Sequence, residues 1–504
     1  MTSRATTAAV VVAICMFAIA YLAPMTRGKG TEMEEGAVVA YAERVLDGAV
    51  PHRDFLTFYG PANPWVVAGA FTAFGENVGT ERGVGLAYRL VIVVSLILIG
   101  LRLAGFAAGA LAGVVASVFM GQEPVWAYAT YGAIAFGLLG IALTTEASIP
   151  SSKRRQFLLL VAGGLMGGIA VLFRTEFAPA VLLGVLPLLT LVPARRRWWY
   201  AGGLVGAMAV YAVHLGVVGP ERIVRVISDL VSSGSGRRLP VPGLSEYLGR
   251  LFAVSLVVLL ALLAVGALLW WRSRDRPAPQ LLVAVALFGF AAIPYVLSRP
   301  DVLHVRPFAV LPLSLLPALL LVGIDALLTR ERARRGLVAA IAALAVAVVV
   351  HEGDFSVDRA RELRNVRSTY RGFVDDDSRH ATGVVIARLR ALARPGDSLF
   401  VGPLDLRRTN YGPTYMYFVL DDLEPASYYM EMNPGSANRE GSGLADELRR
   451  ADWLILTSEW DNWSEDNESA ENGSAEPNEV VSDEFCLTVA RGQYRLYERC
   501  DRAA

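Results

Sequence analysis

Lysine is almost missing from this chain: Lys29 and Lys153 are the only two among 47 basic residues, and the rest are arginine. The bias marks a GC-rich, bacterial style of coding and excludes no function by itself. Cysteine and histidine are sparse, three and five in 504 residues, and they never cluster with the spacing of zinc ligands. No glycine-rich loop of the nucleotide-binding type occurs, and there is no internal repeat or heptad array. Net charge is absent as well: 47 basic residues balance 47 acidic ones, which argues against a nucleic-acid partner. Together these absences predict no nucleotide cofactor, no tightly bound metal and no nucleic acid.

Apolar surface is what the chain has in excess. It is 54% hydrophobic with a mean hydropathy of +0.43, more than one soluble core would bury. A compositional shift near His351 separates long apolar stretches with arginine-rich breaks from a polar, acidic remainder. The reading is a mainly α-helical polytopic membrane protein with a small extracytoplasmic α/β C-terminal domain. Residues 1–351 form the transmembrane domain, 352–379 a linker and 380–504 the external domain. Apolar runs long enough to cross the bilayer lie near 8–25, 87–104, 106–121, 128–146, 157–173, 177–193, 198–218, 248–271, 279–297, 307–328 and 336–351, about eleven in all.

The breaks between these runs alternate in charge. Arg4, Arg102, Lys153–Arg155, Arg195–Arg197, Arg272, Arg274, Arg276 and the arginines at 330, 332, 334 and 335 fall on one side. Short arginine-rich loops stay cytoplasmic, so 27–86, 121–127, 174–176, 219–247, 298–306 and the C-terminal domain are expected outside a multi-pass plasma-membrane protein. The first run continues to Met25 without a polar region, so it reads as a retained span rather than a cleaved signal. Cys15 lies inside it. Cys486 and Cys500 flank a predicted hairpin, Phe485–Ala490 and Tyr494–Glu498, and a disulfide between them is left open because Cα separation decides it.

The first outer loop, 27–86, is too long for a mere connection. It runs through Glu32-Met33-Glu34-Glu35-Gly36 into a predicted helix, 37–46, whose Val38, Tyr41, Ala42 and Val45 share one apolar face. The helix is too short to span and is expected along the membrane surface. Pro51-His52-Arg53-Asp54-Phe55 and Tyr59-Gly60-Pro61 follow, then a second short helix, 64–74.

The run Glu34-Glu35-Gly36, Tyr41-Ala42, Leu46, Gly48, Pro51, Arg53-Asp54-Phe55 and Gly60-Pro61 resembles the first periplasmic loop of GT-C superfamily glycosyltransferases. It is most similar to bacterial relatives of protein O-mannosyltransferase and lipid A aminoarabinose transferase. Those proteins usually carry Asp-Glu-Gly-x-Tyr and then Gly-x-Pro-Tyr-Arg-Asp-Phe, so Glu34 stands where an aspartate is common. The resemblance implies hexosyl or pentosyl transfer from a polyprenyl-phosphate donor to a glycan, lipid or protein acceptor at the outer membrane surface. An acidic residue of this loop is the general base in the family. That role falls on Glu34 or Glu35, with Asp54 a third catalytic candidate and Arg53 and Tyr59 candidates for substrate binding. Some members of the superfamily use a divalent cation.

Charges at outer span ends are costly enough to be paired or functional. Arg174-Thr175-Glu176 and Ser298-Arg299-Pro300-Asp301, with His304 and Arg306, supply cations for a phosphate leaving group. The plainer readings stay beside these. Glu34 and Glu35 also suit a helix N-terminus, Arg53–Asp54 and Arg174–Glu176 are also local ion pairs, and Asp375–Asp377 reads as a solvated charge run. Tyr411, Tyr415, Tyr417, Tyr428 and Tyr429 are either core or a sugar-stacking surface. In the external domain, 398–401 and 453–457 read as strands, 443–450 as a helix and 461–479 as a loop. A lipid-linked glycan flippase or transporter, with polar residues across mid-span, and a non-catalytic envelope assembly protein are the alternative functions.

Overall fold

A computed structural model describes residues 4–27, 30–273, 277–327, 370–373, 379–408, 412–433, 435–463, 465–466 and 472–502. The expected span 336–351, the arginines at 274, 276 and 330–335, most of the 352–379 linker, Asp375–Asp377 and Tyr411 lie outside the described residues. The chain divides into two compact units. One comprises Met1–Arg27, Arg82–Ala212 and Val241–Arg364; the other comprises Gly28–Glu81, Val213–Pro240 and Asn365–Ala504. The segments 28–81 and 213–240 therefore group with the C-terminal region.

Among the described residues seven helices are long and apolar enough to cross a membrane: Val78–Ala104, Ala129–Ser148, Lys153–Phe173, Ala194–Val218, Tyr247–Arg272, Pro277–Ser298 and Val302–Gly323. The chain is a multi-pass membrane protein. The expected spans at 8–25, 106–121 and 177–193 fall on the shorter apolar helices Val11–Thr26, Phe106–Met120 and Thr175–Leu189. Glycine sets how closely the helices of the first unit approach. A Cβ on Gly164 would come within 2.0 Å of the Tyr200 carbonyl oxygen, and one on Gly203 within 2.1 Å of that of Val161. Small residues are the usual means of packing helices where lipid offers no hydrophobic drive. Ser152 caps Lys153–Phe173 by accepting the Arg155 N–H at 3.3 Å.

The second unit holds a five-stranded mixed sheet in the order β2-β1-β3-β5-β4. Its strands are β1 Ser398–Pro403, β2 Glu424–Pro425, β3 Trp453–Thr457, β4 Phe485–Arg491 and β5 Tyr494–Arg499. β1 pairs in parallel with β2 and β3, while β5 lies antiparallel between β3 and β4. Every residue of β3 is buried, as a continuous apolar strand in the middle of a covered sheet must be. Gly492, at φ +55°, makes the two-residue turn between β4 and β5. Cys486 and Cys500 sit with their Cα atoms 5.0 Å apart and form a disulfide. The stretch 461–479 is not all loop, because a helix runs Glu476–Glu484 with Pro477 in its first turn. Tyr415, Tyr417, Tyr428 and Tyr429 are all buried, so they are core and not a stacking surface.

The core of this unit joins Leu56 of the first loop and Val226 of the helix Pro220–Gly236 to Phe400, Tyr429, Leu444, Leu454 and Phe485. The helix Glu34–Leu46 is buried at every residue from Glu35 to Glu43. It is thus a core helix of the unit and does not lie on a surface with one apolar face. It ends at Asp47 and Gly48, whose φ of +87° and N–H bond to the Val45 carbonyl stop the helix.

Candidate functional site

The candidate residues fall into two groups, one in each unit. In the second unit, the turn before the helix Glu34–Leu46 decides what its two glutamates can do. The Glu35 carboxylate accepts the Thr31 N–H at 2.8 Å, and the Glu35 N–H is given to the Thr31 hydroxyl at 3.1 Å. This is the reciprocal bonding of a capping box, spread over one more residue than usual. Glu35 is 0% exposed, whereas Glu34 beside it is half-buried. Gly36 completes the motif for a steric reason: a Cβ there would lie 2.6 Å from the Tyr415 backbone nitrogen.

Asp54 accepts from Arg53 Nη2 at 2.7 Å and from the Val50 N–H at 2.7 Å. Burial pushes its carboxyl up, but these bonds outweigh it and hold Asp54 below the usual carboxylate range. Tyr59 offers its carbonyl to His52 Nε2 at 3.0 Å. His52 Nδ1 lies 3.0 Å from His214 Nε2, so with Nε2–H donated to Tyr59 the pair is bonded by the His214 N–H. Burial lowers the pKa of His52, and its φ of +68° is rare for a residue with a Cβ. His214, inside an apolar run, carried no sequence signal.

In the first unit, Arg174 ends the helix Lys153–Phe173 and bonds Glu176 at 2.7 Å and the Thr130 hydroxyl at 2.7 Å. Its guanidinium carbon stacks 4.5 Å over the Tyr295 ring. The other face of the connection is His304, whose ring centre is 4.7 Å from that of Tyr295. Asp301 accepts from His304 Nδ1 and from Arg299 Nε, both at 2.7 Å. Burial raises the Asp301 carboxyl, yet His304 and Arg299 draw it below its ordinary value. Arg174, Glu176, Arg299, Asp301 and His304 therefore form one connected network.

Arg306 donates to the Gln122 carbonyl at 3.0 Å and leads to a residue that the sequence reading missed. Glu123 Oε1 is 3.9 Å from Arg306 Nε, and neither atom makes a hydrogen bond among the described residues. Glu123 Oε2 accepts the Tyr131 hydroxyl at 2.6 Å, and Arg89 stacks 4.0 Å over that tyrosine. Burial raises the Glu123 carboxyl against the pull of Tyr131, Arg89 and Arg306. The available signal was a single acid in the short loop 121–127 between two apolar runs. Around Arg306 two guanidinium groups face one carboxylate, which leaves that cluster cationic and suits an anion, whereas in the other network Arg174 and Arg299 are balanced by Glu176 and Asp301. No group of three metal-ligating side chains occurs among the described residues.

No family model matches the chain, and no curated protein matches it. Solved structures do. The chain superposes on ArnT from Cupriavidus metallidurans in the apo state with a TM-score of 0.58, and on the same protein bound to undecaprenyl phosphate with 0.54. The fold is that of ArnT. In both cases 98% of each chain is covered at 13% identity, so the likeness to ArnT runs through both units while few residues are shared.

Proposed function

We propose that this chain is a GT-C glycosyltransferase that moves a sugar from a polyprenyl-phosphate carrier to a cell-envelope acceptor at the outer face of the membrane. The observation that carries the reading is the Thr31–Glu35 cap: it locks one acid of the first-loop motif and leaves Glu34 half-exposed beside it. The ArnT-like fold supports the same reading, since ArnT has been seen with undecaprenyl phosphate.

Glu34 is the general base in this account, and Glu35 holds the turn. Glu34 takes the proton of the acceptor hydroxyl as its oxygen attacks the anomeric carbon. The bond from that carbon to the phosphate oxygen breaks, and the polyprenyl phosphate leaves with the electron pair. Glu34 then returns the proton to solvent. Arg299 and the cationic cluster around Arg306 are assigned to the phosphate, whose charge grows as the bond breaks. Arg53 and Asp54 act on the loop itself, and Tyr59 is held with them through His52.

Substituting each glutamate separately tests the assignment. Glu34→Gln should lower kcat by about 10²–10⁴-fold because an amide cannot accept the proton. Glu35→Gln should stay active, since a glutamine completes the same cap. Wild-type turnover in Glu34→Gln would remove the base.

A further inference from the structure

The proposed base is carried by a short turn, and a segment more than three hundred residues later packs directly against that turn. Gly30 donates its N–H to the Gly372 carbonyl at 2.9 Å. The Phe373 ring covers Gly30 so closely that a Cβ there would meet its Cε1 at 2.5 Å. Phe373 is fully buried and stacks on Tyr415 with ring centres 5.2 Å apart and planes 19° from parallel. Tyr415 in turn gives its N–H to the Glu32 carbonyl at 3.1 Å and backs Gly36. Gly30, Gly372, Phe373, Tyr415 and Glu32 thus close a ring of contacts on the turn that leads into Glu34.

Arg371 fixes the segment from the other side. It bonds Glu43 at 2.7 Å, Glu76 at 2.8 Å and the Phe418 carbonyl at 2.5 Å, lies 3.4 Å from Asp421, and stacks 4.1 Å over the Phe418 ring. Its φ of +59° is in the left-handed region, a conformation that surrounding contacts must hold in place for a non-glycine residue. Three carboxylates converge on this one guanidinium, and burial pushes the most enclosed, Glu43, up to about 8. The Glu34–Leu46 helix is therefore tied to Arg371 at Glu43 and to Phe373 at its start.

We propose that Phe373 and Arg371 are positioning residues of the transfer reaction, setting the aim of Glu34 by clamping the Gly30–Gly36 turn. The inference rests on the reading of Glu34 as the base. A core residue with no such role would affect stability and leave the chemistry alone. A positioning residue has a different signature, because small misplacements of a reacting group are expensive.

The test is steady-state transfer from a polyprenyl-phosphate sugar by purified full-length protein, with folding followed by thermal denaturation. Phe373→Leu, which keeps an apolar side chain, and Arg371→Lys, which keeps the charge, should each lower kcat on the order of tenfold while leaving KM for the donor unchanged. Phe373→Met takes the place of the leucine variant if that one does not fold. On a Glu34→Gln background the same substitutions should cause no further loss, since the group they aim is gone. An unchanged kcat, or an equal loss with and without Glu34, overturns the proposal. Full activity of Glu34→Gln alone strikes instead at the base assignment and is read separately in the same assay.

Discussion

Two neighbouring glutamates at one helix N-terminus have different surroundings, and the difference comes from a threonine. Thr31 engages Glu35 at both its carboxylate and its N–H and holds it fully buried, while Glu34 beside it is half-buried. The motif made both acids visible in the sequence, but not which one caps the helix, because that depends on where Thr31 turns. Glu123 was harder to see: one acid in a short loop gains meaning only from Arg306, Tyr131 and Arg89, none of them nearby in sequence except Tyr131. Arg306 is the residue whose removal tests the anion assignment. Arg306→Ala should raise KM for the lipid-linked donor about tenfold or more, the scale of one lost charge-assisted bond, with the acceptor KM unchanged. Kinetics in which only the acceptor KM moves would take Arg306 off the phosphate.

Elements whose identity follows from local demands were legible. The apolar runs at 87–104, 128–146 and 248–271 had to be helices because a bilayer leaves backbone groups no other partner. The strands at 398–401 and 453–457 were legible as short apolar runs bounded by turns, as was the closing hairpin. The surroundings of Glu34–Leu46 were not. Its periodicity gave a helix with one apolar face, but the short helix Tyr415–Val419, far along the chain, packs against it, with the Tyr415 backbone against Gly36. The disulfide could not be fixed from sequence, since a shared register face does not set a Cα distance. It closes a separation of 14 residues. Replacing Cys486 and Cys500 by serine should lower the stability of the five-stranded sheet by about 3 kcal/mol, seen as a lower midpoint in thermal or denaturant unfolding of the purified protein. An unchanged midpoint would mean the hairpin's contacts to β3 suffice without it.

At the scale of the whole molecule, composition located the passage from apolar to polar chain but not the grouping of the pieces. Residues 28–81 and 213–240 interrupt the membrane helices in sequence and belong in space with 365–504. Loops of that length are where function is carried on a rigid scaffold. Here the scaffold is the ArnT-like arrangement of helices. The proposed reaction, at a first loop expected outside, takes its sugar from a carrier that resides in the bilayer. The direct measurement is a paired incubation of purified protein, stripped of carrier lipid, with a polyprenyl-phosphate sugar or with the matching nucleotide sugar, each with membrane-extracted acceptor. Transfer from the lipid-linked donor and none from the nucleotide sugar is the expected result; robust transfer from the nucleotide sugar alone would contradict a lipid-linked donor.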